Sequence, residues 1–215
     1  MIRLVIFDLD GTLVDAYPAI FKSVNYTLSK LGFPLKKFGY VKKAVGKGDR
    51  HLMVDVVGEA MADKALKIYR AHHKNALKID VSFLPGVEEL LGWCKSQGLV
   101  VAIATNRPSQ FVKIILTTLK ANIYFDKVLC ADKASRPKPY PDMLLQLCKY
   151  FKVTRKQALF VGDMTIDISC GANAQIKTLV VTTGSNTKNE LKQLKPYKII
   201  NRILSIKQLL KKGSL

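Results

Sequence analysis

Asp8 and Asp10 flank a single leucine at the point where the run VIFDLDGTLVD stops being apolar. Residues two apart in an extended chain share a side, so the two acids stand together and repel. A fold gains nothing from that pair, but a divalent cation or a phosphoryl transfer can use it. Other apolar runs end in the same way. VVAIATNRP stops at Thr105 and Asn106, and ALFVGDMTID stops at Asp163, with Asp167 four residues further on at a helix start. The segment ASRPKPYPD holds Lys138 between prolines. Four carboxylates gathered at one place repel strongly unless a cation and a lysine compensate them. Oxygen donors without histidine or thiolate favour Mg²⁺ over zinc.

Bringing these residues together requires a frame. Short apolar runs at Arg3–Phe7, Leu99–Thr105, Lys127–Ala131, Ala158–Gly162 and Thr178–Thr182 read as strands. Helical patterns alternate with them at 86–97, 109–120, 140–151, 168–174 and 187–194, followed by a weak strand at 198–200 and a helix at 203–212. Strands buried on both faces and joined by helices predict an α/β fold with a doubly wound, Rossmann-like parallel sheet. In such a sheet the ligand site lies at the carboxyl ends of the strands, which is where the polar residues fall.

Residues 16–82 break the alternation. Ile20, Val24 and Leu28 recur at helical spacing, as do Leu52, Val56, Val57 and Met61, with no convincing strand among them. The expectation is an all-helical insert at 16–82, with a core formed by 1–15 and 83–215. The return hinge would lie near Val81–Pro85, where Leu84-Pro85-Gly86 also suits a helix start.

Composition narrows the remaining classes. The 215 residues are 48% hydrophobic, enough for one domain with an insert, and no apolar run approaches a membrane span. The N-terminus enters a strand pattern at once and lacks a signal-like core, so a cytoplasmic protein is expected. Cys94, Cys130, Cys148 and Cys170 form no C-x-x-C pair, which argues for reduced, buried thiols. His72 and His73, adjacent on a helix, point apart and read as solvated positions. The 35 basic and 16 acidic residues give a net charge of +19, which raises nucleic acid as a partner. The lysines are spread along the chain without aromatic interleaving, so a solvated basic surface fits better and nucleic acid is not the expected partner.

Taken singly, DGT is a turn, Asp167 a helix cap, Thr105-Asn106 a strand-end turn and Lys138 a loop lysine. Taken in order, DLDGT, the Thr of ATN, the Lys of KPYP and GDMTID resemble the four motifs of the haloacid dehalogenase superfamily. The match spans essentially the whole chain. The stretches DAYPAIFKSVNYTLSKLGFPL, LPGVEELLGWCKSQGLVVAIATNRP, YFDKVLCAD and NAQIKTLVVTTG resemble its phosphoglycolate phosphatase branch, which carries a helical cap after the first motif. One departure is Ala16, where that branch commonly has serine.

The resemblance implies a Mg²⁺-dependent phosphatase. Asp8 would be the nucleophile that forms an aspartyl-phosphate, and Asp10 the general acid and base. Asp8, Asp10 (through its carbonyl), Asp163 and Asp167 would hold the metal. Thr105 and Lys138, with backbone amides near Gly11 and Asn106, would bind phosphoryl oxygens. The insert would close over the site, and Lys47 and Arg50 in VGKGDRHLM would meet a second anionic group on a small phosphoester. A monomer or weak homodimer is expected. Three alternatives share parts of this pattern. A phosphosugar mutase shares every core motif and differs in its acceptor. A hydrolytic dehalogenase has no need of Asp10. A nucleic-acid-binding protein with a degenerate core would explain the charge, but not the retained acids.

Overall fold

The computed structural model describes residues 1–211. Its first strand, β1 (Leu4–Phe7), is buried at every position because both of its faces are covered. Leu4 and Ile6 face one apolar layer while Val5 and Phe7 face the other, as the two-residue period of a strand dictates. After β1 come β2 (Val14–Asp15) and four helices, α1 (Tyr17–Lys30), α2 (Phe38–Ala44), α3 (Asp49–Val57) and α4 (Glu59–Ala76). The chain then returns through β3 (Ser82–Phe83) to α5 (Val87–Ser96), β4 (Val100–Thr105), α6 (Ser109–Thr118) and β5 (Lys127–Cys130). It continues with α7 (Asp142–Tyr150), β6 (Ala158–Gly162), α8 (Thr165–Ala174) and β7 (Lys177–Val181). It closes with α9 (Lys188–Gln193), β8 (Lys198–Ile200) and α10 (Ser205–Lys211).

Six strands form one sheet in the order β5-β4-β1-β6-β7-β8, and every pairing within it is parallel. Helices α5, α6 and α10 cover one face through Leu90, Leu91, Phe111, Ile115 and Ile206. Helices α7 and α8 cover the other through Met143, Leu144, Leu147 and Cys170. The fold is therefore the α/β, doubly wound arrangement expected. The six expected strands are present, with some ends shifted by one residue. Helix α8 begins three residues earlier than the apolar pattern suggested. There the Asp167 carboxylate accepts from the Met164 N–H at 3.0 Å and fixes the first turn. Lys212, expected to end the last helix, lies outside the described residues.

Helices α1–α4 have their own apolar cluster, built on Ile20, Val24, Leu28, Leu52, Met53, Ala65 and Tyr69. Their base is seated on the sheet, since Ala16, Ala19, Ala76 and Leu77 pack into the sheet's cluster. One element was not expected: β2 pairs antiparallel with β3, Val14 against Phe83 and Asp15 against Ser82. This two-residue ribbon stands where the chain leaves the sheet and returns to it, too short to show an alternation. Among the described residues, no helix is long and apolar enough to cross a membrane.

Candidate active site

The carboxyl ends of β1, β4 and β6, neighbours in the sheet, deliver Asp8, Thr105 and Asp163 to one place. Lys138 enters between them from the loop before α7. Its Nζ donates to Asp8 Oδ1 and to Asp167 Oδ1, each at 2.6 Å, with its side chain 2% exposed. The other oxygen of Asp167 accepts from the N–H groups of Asp163 and Met164. Asp167 thus spends both oxygens on holding Lys138 and the start of α8. Asn106 fixes the same lysine from the backbone side: its Oδ1 accepts from the Lys138 N–H at 2.9 Å, and its Nδ2 donates to the Lys138 carbonyl at 3.0 Å. The Thr105 hydroxyl accepts from the Arg107 N–H at 3.2 Å. The Gly11 N–H is committed to the Val14 carbonyl.

Burial opposes the charged form of each of these groups. Desolvation pushes the Asp8 carboxyl up to about 6; Lys138 opposes that shift and Asp167 adds to it. Asp163 is held well above the usual carboxylate range, first by burial and then by Asp8 and Asp167. Burial works against the Lys138 ammonium, but Asp167 and Asp8 outweigh it and hold the group above its ordinary value.

Asp8, Asp163 and Asp167 each bring a carboxylate oxygen to within 4.8 Å of the other two. Asp163 Oδ1 accepts from the Thr12 hydroxyl at 2.7 Å, but its buried Oδ2 has no hydrogen-bond partner, and neither has the nearby Tyr17 hydroxyl. An orphaned carboxylate oxygen is costly in a folded interior. The backbone crowds that oxygen: a β-carbon on Gly11, whose φ is +79°, would lie 2.5 Å from it, and one on Gly184 would overlap the carboxylate. An all-oxygen set with one unsatisfied member fits a hard divalent cation such as Mg²⁺.

Asp10 is not one of these three acids; it lines the same cavity as Asp8. Arg107 Nε donates to Asp10 Oδ2 at 2.6 Å and Nη2 donates to Oδ1 at 2.7 Å, so the guanidinium fork occupies both oxygens. Its remaining nitrogen, Nη1, lies 2.9 Å from His73 Nε2. Arginine has only donors, so Nε2 accepts and the imidazole proton sits on Nδ1. That proton is donated to Ser23 Oγ at 3.0 Å, and Ser23 in turn donates to the Ala19 carbonyl. Burial, and then Arg107, lower the His73 pKa to about 2. Sequence reasoning missed Arg107 and misplaced His73. His73 is not solvated but fully buried, on the face of α4 shared by Ala62, Ala65, Tyr69 and Ala76. His72 is half-buried and also meets Ser23 Oγ, at 3.1 Å.

The helical insert roofs the cavity. Asn106 Nδ2 reaches the Gly46 carbonyl at 3.2 Å, and Lys42 Nζ donates to the Thr183 carbonyl at 3.3 Å. The roof is largely apolar, formed by Ile20, Val45, Leu52 and Tyr69, with Asp49 tied back by Arg70. The basic loop does not present its charges here. Lys47 is exposed and absent from the cavity wall. Arg50 is turned outward to Glu59 at 2.6 Å and Asp63 at 3.1 Å. Helix α3 starts at Asp49, and its first turn directs Asp49 inward and Arg50 outward.

Comparison with known proteins bears on the family and the fold. Residues 5–181 match the family model of the haloacid dehalogenase-like hydrolases. The chain is 31% identical to a phosphoglycolate phosphatase of Nitrosococcus oceani over 99% of its own length and 98% of that protein. It is also 31% identical to a phosphoglycolate phosphatase of Pseudomonas putida, over 95% of this chain and 78% of that one. Among solved structures, one described as a predicted phosphoglycolate phosphatase from Haemophilus somnus superposes with a TM-score of 0.89. The two are 29% identical, and the match covers 97% of this chain and 98% of that one. A structure described as a predicted phosphatase from Clostridium acetobutylicum gives 0.87 at 26% identity, covering 98% of this chain and 99% of that one. The chain belongs to the haloacid dehalogenase-like hydrolases.

Proposed function

We propose that this protein hydrolyses a small phosphate monoester of the phosphoglycolate kind, through a phosphorylated Asp8 and with a bound Mg²⁺. Family and relatives together make it a phosphoric monoester hydrolase. The observation that carries the mechanism is the Asp8–Lys138–Asp167 bridge beside the orphaned oxygen of Asp163.

Lys138 holds one oxygen of Asp8 and leaves the other free to attack phosphorus. As the Asp8–phosphorus bond forms, the bond from phosphorus to the ester oxygen breaks. The ester oxygen takes a proton from Asp10 and leaves as an alcohol. Water then attacks the aspartyl-phosphate and gives a proton back to Asp10. Inorganic phosphate departs, and Asp8 is restored. Thr105, Lys138 and adjacent backbone N–H groups stabilise the phosphoryl oxygens as their charge shifts. Asp8, Asp163 and the Asp10 carbonyl would hold the cation, with Asp167 acting through Lys138. The cation would screen the anionic ester from the anionic nucleophile. Residues 16–82, hinged at the β2–β3 ribbon, act as a cap that excludes water.

The test is phosphate release from phosphoglycolate and from an aryl phosphate. Release should require a divalent cation, stop in EDTA, and fall about a thousandfold or more in Asp8→Asn. Full activity after metal stripping, or an active Asp8→Asn, would sink the mechanism.

A further inference from the structure

We propose that Arg107 is the receptor for a carboxylate on the substrate, and that it takes up this carboxylate by exchanging it for Asp10. The inference rests on the phosphatase reading above and specifies which esters that site selects.

The cavity wall holds only two cations among the described residues, Lys138 and Arg107. Lys138 is committed to Asp8 and Asp167, at the phosphoryl end. Lys47 and Arg50 do not face the cavity, and the roof residues Ile20, Val45, Leu52 and Tyr69 offer no charge. A second anionic group on a bound ester therefore has one cation to meet.

The position of Arg107 suits that task. In an ester of a 2-hydroxy acid, a single carbon separates the ester oxygen from the carboxylate. Whatever binds the carboxylate must sit next to whatever protonates the ester oxygen. Asp10 does the second, and the guanidinium of Arg107 is in contact with it through two hydrogen bonds. The fork matches one carboxylate as well as another. His73, itself held by Ser23, holds Nη1 from the cap side, so the guanidinium plane stays in place when its partner changes.

The exchange also frees Asp10. With both oxygens on the fork, Asp10 has neither oriented to an ester oxygen or to water. A substrate carboxylate that occupies the fork releases them. An ester with a neutral group there leaves Asp10 clamped, so selectivity arises in binding and in turnover together.

The experiment compares phosphoglycolate with its uncharged amide, 2-phosphooxyacetamide, in the wild type and in Arg107→Gln and Arg107→Lys. The wild type should prefer the carboxylate by about tenfold or more in kcat/KM, and Arg107→Gln should reduce that preference to about one. Arg107→Lys, which keeps the charge and loses the fork, should fall between them, so a Gln variant that fails to fold does not end the test. A wild type without the preference, or a variant that slows both substrates equally and keeps it, would overturn the proposal. The second result would make Arg107 a positioning residue for Asp10 alone. A separate arm measures binding without turnover. Calorimetry with 3-phosphonopropionate and with propylphosphonate, in wild type and Arg107→Lys, should show the carboxylate advantage in the first and a smaller one in the second. Equal affinity of the wild type for both phosphonates would overturn the proposal. Failure of the phosphatase reading would appear differently, as no hydrolysis of any ester with the binding preference intact.

Discussion

Most of what surrounds Asp163 opposes a charge on its carboxyl. Burial, Asp8 and Asp167 outweigh Thr12 and Lys138, which favour the charged form. Replacing it with asparagine removes the ionisable group and keeps the shape. Asp163→Asn is therefore expected to raise the melting temperature of the metal-free protein. Relief of about 1 kcal/mol corresponds to roughly 2–4 °C in a chain of this size. The same variant should lose the response of Tm to Mg²⁺ and most of its activity. A metal-free Tm at or below wild type would show that the orphaned oxygen carries no strain. Asp8 adds a dependence on pH. Its folded pKa of about 6 lies above the unfolded 3.8, so the folded state binds the proton more tightly. The Asp8 contribution to metal-free stability should rise as pH falls from about 6 toward 4. Protons and metal then compete for the same oxygens, and the Tm gain from Mg²⁺ should be larger at pH 7.5 than at pH 5.5. Equal gains at the two pH values would place the ion elsewhere.

Helix α4 ties the helical insert to Arg107, the partner of Asp10, through one side chain. His73 accepts from Arg107 and donates to Ser23, so it links α4, α1 and the end of β4. His73→Leu leaves a buried guanidinium N–H of Arg107 without its partner, a loss of about 1–3 kcal/mol. His73→Gln, which offers an amide oxygen, should recover part of it. Because burial holds the His73 pKa near 2, its ring signals should stay in the neutral position from pH 5 to 8 in an NMR titration. A midpoint in that range would break the assigned tautomer and the link. At this scale the sequence was partly legible. Strand ends could be read because Asp8, Thr105 and Asp163 each interrupt an apolar run at a fixed place. Arg107 stood beside Thr105 in ATNRP, but nothing local indicated that it would find Asp10, 97 positions away. His73 could have been inferred from its spacing to Tyr69, Ala65 and Ala62, since four positions on one helical face point to a buried stripe. The loop 45–48 announced its charge but not its direction, which the first turn of α3 decides.

The distribution of charge over the whole molecule follows from the site. Asp8, Asp10, Asp163 and Asp167 are held at or behind the cavity wall, and Asp49 faces it from the roof. The outer surface is thus more basic than the net +19 suggests. The surface lysines repel one another across distances at which salt screens effectively. Exposed pairs such as Lys22–Asp80 and Arg136–Asp142 offset little of this, since pairs of that kind contribute about 0–1 kcal/mol. The buried Lys138 bridges are sheltered from the solvent ions and should change little. Raising NaCl from about 10 mM to about 150 mM should therefore raise Tm at fixed pH, because self-repulsion is lost faster than attraction. Over the same range, any retention on DNA should disappear, as expected of unspecific counterion exchange. The proposed hydrolysis of phosphoglycolate should persist, with KM increasing as long-range attraction of the anion weakens. A Tm that falls with salt would mean that the surface pairs outweigh the repulsion. DNA binding that survives at 150 mM would assign the excess of lysine to nucleic acid.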